Sequence, residues 1–160
     1  MAKPRSLVRA RSRRRANPSW SPTFSYRLGY FSGDDPTTAR YERWDPLLSG
    51  GTGEQWVQGA NHFKVVQDAN VIAHRLQVLA NPSPKLQLVG QAWAFYADSL
   101  NNIGGNRALT FLSDDEYGFE ANLTAKWFIN RNLYIHGSVA YTVPGDAVQS
   151  ALGDEARDWW

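Results

Sequence analysis

The chain is predicted to be all-β, an antiparallel up-and-down meander forming part of the wall of a transmembrane β-barrel. Two segments of strict alternation, aromatic residues at their ends and a regular rhythm of connection lengths support this. In the first segment Phe119, Ala121, Leu123, Ala125 and Trp127 point one way, while Glu120, Asn122, Thr124 and Lys126 point the other. After the turn Asn130-Arg131-Asn132, the second places Leu133, Ile135, Gly137, Val139 and Tyr141 on one face, against Tyr134, His136, Ser138 and Ala140. Side chains on a strand alternate with period two, so each segment is a strand with one apolar and one polar face. Each is about ten residues long, the length a tilted strand needs to cross a bilayer.

Three further strands precede this hairpin. The first follows Pro22, where Phe24, Tyr26, Leu28 and Tyr30 alternate with Ser25, Arg27 and Gly29. The second spans roughly residues 70 to 80, with Ile72, Leu76 and Val78 against Ala73, Arg75 and Gln77. His74 falls on its apolar side, which predicts a bulge or a position near a membrane interface. The third, about 85 to 96, alternates less cleanly, because Gln87 and Gln91 share a face with Val89, Trp93 and Phe95.

The connections follow a rhythm. Residues 32 to 69 make a long one, Asn81-Pro82-Ser83-Pro84 a tight turn, 97 to 115 a polar loop, 130 to 132 a short turn, and Pro144 to Glu155 another longer loop. Short turns on one side and long loops on the other are the pattern of outer-membrane barrels. Soluble sandwiches and lipocalin-like barrels have no reason to segregate loop lengths in this way.

Composition narrows the classes. No stretch approaches the roughly 18 continuous apolar residues of a membrane-spanning helix, which excludes an α-helical membrane protein and leaves a barrel open. Seven each of Trp, Tyr and Phe suit aromatic girdles as well as many soluble β-proteins. Cysteine is absent, so disulfides and thiolate metal sites are excluded. Residues 1 to 15 hold seven of the seventeen Lys and Arg and no acid, and the remainder carries ten basic and fifteen acidic groups, a balance of −5. The alkaline character thus belongs to the arm. Such an arm can bind phosphates of nucleic acid or lipid. With no aromatics, no helical periodicity and no basic surface downstream, residues 1–19 read instead as a basic, disordered flank, and no nucleic-acid partner is expected. Nor does the arm contain the apolar core of a secretory signal. Residues 20–160 form the barrel region.

The stretch Tyr26-Arg27-Leu28-Gly29-Tyr30-Phe31-Ser32-Gly33-Asp34-Asp35-Pro36, then Tyr41-Glu42-Arg43-Trp44-Asp45-Pro46-Leu47, Ala73-His74-Arg75-Leu76 and Tyr141 through Ala147, resembles the C-terminal part of alginate-export-type outer-membrane barrels. The resemblance covers roughly residues 24 to 150. It implies a bacterial outer-membrane protein, a large porin-like channel that passes anionic polysaccharide or small solutes, with outer-membrane lipid and the barrel-assembly machinery as partners. It brings no catalytic residues and no cofactor. Three features depart from the family: no signal peptide, five strands where the smallest bacterial barrel has eight, and a stop at Asp158-Trp159-Trp160 where a last strand is due. Together they predict a fragment of a larger barrel.

Alternation then assigns the pore lining. Arg27, Arg75, Gln77, Glu120, Asn122 and Lys126, with Thr124, His136 and Ser138, face the water-filled side. Cations on a pore wall attract anionic solutes, and the planar two-pronged donors of Arg suit carboxylates. The same cations would equally serve as structural partners of Glu120 and of acids on other strands. No metal site is expected: Asp34, Asp35, Asp45 and the run Asp114-Asp115-Glu116 lack EF-hand spacing, although carboxylate loops can hold calcium. His62, His74 and His136 lie on different elements. Tyr26, Tyr30, Trp127 and Tyr141 fit interface belts, or the core of a soluble sheet. The alternative reading is a soluble antiparallel β-domain that binds a ligand or nucleic acid through the Arg-rich arm. It requires the faces of Phe119–Trp127 and Leu133–Tyr141 to pack under a second layer of the same chain.

Overall fold

The computed structural model describes residues 20–45, 59–62, 65–66, 69–153 and 156. The basic flank 1–19, the middle of the first long connection and the terminal Asp158-Trp159-Trp160 lie outside the described residues. Five strands, β1 (Thr23–Phe31), β2 (Val71–Ser83), β3 (Leu86–Tyr96), β4 (Glu116–Phe128) and β5 (Tyr134–Pro144), pair in chain order with every neighbour antiparallel. The result is an all-β meander with β1 and β5 at its edges. Among the described residues the sheet does not close on itself.

Local chemistry explains the turns and register. In the last short turn, Asn130 Oδ1 accepts the amides of Asn132 at 2.9 Å and Leu133 at 3.0 Å, a side chain standing in for a backbone acceptor. This fixes the hairpin so that Phe119 faces Val143, Leu123 faces Val139 and Trp127 faces Ile135. In the other short turn the register shifts between Ala80 and Ser83. Pro82, which lacks an N–H to donate, falls inside that irregularity. The register runs unbroken from Ile72 to Ala80, so no bulge falls at His74.

The register sorts the side chains into rows across the five strands. On the apolar face one row reads Tyr26, Leu76, Ala92, Ala121, Tyr141, and the next Phe24, Val78, Gly90, Leu123, Val139. On the polar face one row reads Arg27, Arg75, Trp93, Glu120, Thr142, and the next Ser25, Gln77, Gln91, Asn122, Ala140.

Where the core sits was not apparent from alternation. Phe31, Val71, Ala73, Trp93, Phe95 and Tyr117 cluster with Val66, Leu109, Leu112, Ala147 and Val148 into one buried core. Phe31, Ala73, Trp93 and Phe95 occupy the polar face, at the end where the long connections emerge. Described residues of all three long connections pack onto that face. The last of them, expected to be a loop, contains the helix α1 (Asp146–Leu152), which buries Ala147 and Val148. The helix forms because Gly145 in an extended conformation accepts the first helical bonds, from Val148 and Gln149.

Among the described residues nothing covers the apolar face. Leu76 is 63% exposed, Ile135 62% and Val139 69%, so these side chains lie outside the core and form an exposed apolar surface.

Candidate functional site

The polar face carries the chemistry. Its upper half, toward the long connections, is roofed; among the described residues no connection covers its lower half, toward the short turns.

The roof is fastened at Glu120. Its carboxylate accepts three successive backbone amides, Ala60 at 2.5 Å on Oε1, and Asn61 at 2.9 Å and His62 at 2.8 Å on Oε2. The Thr142 hydroxyl donates to Oε2 from the neighbouring strand at 3.3 Å. His62 Nδ1 lies 3.8 Å from the same oxygen. Consecutive amides converging on one anion form a nest, and Gly59 makes the approach possible with φ of +63°. A Cβ at Gly59 would run into the carboxylate. The His62 ring stacks on Phe95 with centroids 4.3 Å apart, and its Nε2 lies 3.2 Å from the Tyr117 carbonyl oxygen. Glu120 is therefore 2% exposed. Although it points to the polar side as expected, the first long connection shields it from water.

Further bonds join the connections to one another. Asn70, fully buried with φ of +57°, donates from Nδ2 to the Ser99 carbonyl at 2.9 Å and to the Tyr117 hydroxyl at 3.3 Å. Its Oδ1 accepts the Ser99 amide at 2.7 Å. The Gly33 amide donates to Asp98 at 2.9 Å, and Arg43 donates to Asn102 at 2.7 Å. The connections after β1 and β3 thus behave as one layer.

The six residues read as pore-lining all lie on this polar face, in different settings. Arg27 is half-buried on the edge strand β1, and both it and Arg75 hold interactions within the structure. Arg75 is buried with its guanidinium 5.5 Å from the Trp93 ring centroid, a cation–π arrangement. Gln91 donates to Gln77 across the strand pair at 2.9 Å. Asn122 is half-buried and its Oδ1 is enclosed without a hydrogen-bond partner. Lys126 is half-buried near the short-turn end, paired in register with the exposed His136 and 5.8 Å from the Tyr134 ring centroid. The structure thus brings Gln77, Gln91, Asn122 and Trp93 together, keeps Glu120 for the roof, and leaves Lys126 apart.

The remaining candidates separate as well. Asp34 accepts the Glu42 amide, Asp35 the amide and hydroxyl of Thr37, and Asp114 the Glu116 amide, so these carboxylates shape turns. Among the described residues no group of three or more His, Asp or Glu side chains gathers where a metal could bind. On the apolar face the Tyr26 hydroxyl lies 2.8 Å from His74 Nδ1, and the Tyr96 ring meets His74 edge-on at 6.0 Å. This pairing gives the awkward histidine a hydrogen-bond partner on the greasy side. The fastening role of Glu120 was missed, because its partners lie 58 to 60 residues away in the chain. The only hint of it is Gly59-Ala60, a small-residue pair within a long connection.

Comparisons with protein-family models, with curated proteins and with solved structures return no match to this chain.

Proposed function

We propose that this chain forms part of the wall of a bacterial outer-membrane transport barrel, related to the alginate-export type. On this reading it helps to pass anionic polysaccharide or small sugar-like solutes and carries out no catalysis. The observation that supports it is the pairing of an uncovered apolar face with a roofed, polar opposite face on the same five strands. Lipid would be the neighbour of Leu76, Leu123, Ile135 and Val139, and hydrocarbon tolerates such a surface where water does not. Aromatics stand toward both ends of that face, Tyr30 and Tyr96 at the long-connection end and Trp127 toward the short turns, as girdles at two interfaces would, while Phe24, Tyr26 and Tyr141 lie in its two middle rows. Backbone groups along β1 and β5 would then be paired by further strands, since an open edge in lipid strands its donors and acceptors.

Flotation with liposomes tests the membrane assignment. The full chain refolded in the presence of phospholipid vesicles is expected to float with them and to resist extraction at high salt; a monodisperse product in plain buffer would refute it. Solute preference is tested in the complete barrel by replacing Arg27, Arg75 and Lys126 with Gln. Unchanged anion selectivity in a planar bilayer would remove those cations from the mechanism.

A further inference from the structure

The fold divides charge between the two ends of the sheet. Among the described residues every acidic side chain lies in a long connection or, for Glu116 and Glu120, in the half of β4 nearest them. The half nearer the short turns, together with those turns, holds no acid but carries Lys85, Lys126, Arg131 and His136. These four lie in separate stretches of the chain, which is why no basic surface was legible after the arm. Strand pairing gathers them. The Phe128 amide donates to the Lys85 carbonyl at 2.8 Å, Lys126 stands opposite His136, and Arg131 sits in the turn between β4 and β5. The chain also enters the sheet here: β1 begins with Thr23 opposite Leu79, and the Trp20 carbonyl accepts the Asn81 amide at 3.1 Å. The seven cations of residues 1–15 therefore precede the sheet at its basic end.

What meets this end must satisfy two kinds of exposed group. Lys85 and Arg131 are exposed, and among the described residues no carboxylate pairs with either of them or with Lys126. Beside them stand exposed apolar side chains, Trp20, Trp127, Ile129 and Leu133. A nucleic acid would neutralise the cations and leave Ile129 and Leu133 in water. A lipid surface takes both, with phosphates against the cations and the boundary below the headgroups against the rings and aliphatic chains. Building on the membrane reading above, we propose that the short-turn rim, centred on Lys85 and Arg131, seats itself among the headgroups of an anionic phospholipid surface. Arg131 offers a phosphate its forked donors, and Lys85 a compact charge on a flexible stem. The acidic opposite end is repelled by the same surface, so the charge division also sets which end of the sheet faces it.

The test is flotation of the full chain with vesicles of neutral phosphatidylcholine and with vesicles containing phosphatidylglycerol as well. The readout is the lipid concentration at which half of the chain floats at low salt. Phosphatidylglycerol is expected to lower that concentration by about fivefold for each cation engaged, a preference that high salt removes. Replacing Lys85 and Arg131 together with Gln is expected to raise it about twenty-five-fold on the anionic vesicles and to leave it unchanged on the neutral ones. Both side chains are exposed in turns, so the sheet's own hydrogen bonds are untouched. A second variant, with the seven cations of residues 1–15 replaced by Gln, separates the rim from the arm: the Lys85 and Arg131 replacements are expected to act in that background too. Failure to float with either vesicle would refute the membrane reading itself. Equal flotation with both vesicles would leave that reading standing and overturn the lipid preference. An anionic preference that survives the double replacement, or one lost entirely with the arm cations, would overturn the role of the rim. Release from anionic vesicles by a DNA duplex at equal phosphate concentration would overturn lipid as the partner.

Discussion

Neutralising Glu120 is expected to detach the first long connection from the sheet while leaving the sheet intact. Glu120→Gln keeps the size of the side chain but offers one acceptor oxygen where the carboxylate offers two. With its carbonyl placed at the Oε2 position, the glutamine still receives the Asn61 and His62 amides and the Thr142 hydroxyl. Its NH2 then faces the Ala60 amide, donor against donor. A hydrogen bond to a charged group is worth about 1.5–3 kcal/mol against about 0.5–1.5 for a neutral one, and a buried amide left without an acceptor costs about 1–3 kcal/mol. Release from desolvating a carboxylate offsets part of this, leaving a net cost of about 3 kcal/mol. At about 1.4 kcal/mol per tenfold, local opening of residues 59–62 becomes roughly a hundredfold more frequent. Hydrogen–deuterium exchange read by mass spectrometry measures this directly. A peptide covering 59–66 is expected to exchange far faster in Glu120→Gln, while one from β3 keeps its protection. Gly59→Ala is expected to move the same peptide in the same direction, because its new methyl meets the carboxylate. Unchanged exchange at 59–62 in Glu120→Gln, or equal acceleration in β3, would refute the fastening role.

Other perturbations probe separate links. Val139→Lys, at the centre of the apolar face, is expected to lower folding stability in liposomes by about 2–4 kcal/mol if hydrocarbon is its neighbour; a shift within about 0.5 kcal/mol would place water there. Asn70→Ala removes three hydrogen bonds and keeps a residue at positive φ, so it is expected to loosen the joined connections by about 2–4 kcal/mol. Asn70→Gly, which relaxes that φ, is expected to cost about 1 kcal/mol less, read as the difference in denaturant midpoints. Arg75→Lys is expected to cost about 1 kcal/mol in the same assay, since an ammonium does not lie flat on the Trp93 ring.

The strands were legible because period-two alternation is a local signal. Phe119 to Trp127 and Leu133 to Tyr141 announce both the hairpin and its faces, and Asn130 announces the turn. The helix at Asp146–Leu152 was not, because seven residues are too few for a helical period to stand out from a loop. The irregular pattern of the third strand has a physical reason visible only in three dimensions. Trp93 and Phe95 break the polar run because the long connections supply a second apolar surface for them at that end. For the same reason alternation places Glu120 on the polar side but says nothing of its shelter. Three amides from a distant turn decide that, and no nearby residue records them.

Five is an odd number, so the opening strand and the closing strand of this meander point the same way. Joining two such sheets side by side, both upright, would set like-directed strands against each other at the seam, where the ladder is slanted and slightly weaker per residue. A ring of strictly opposed neighbours instead needs an odd-numbered arc between β5 and β1. Were this sheet closed into a ring as we propose, the strands completing it would have to respect that parity.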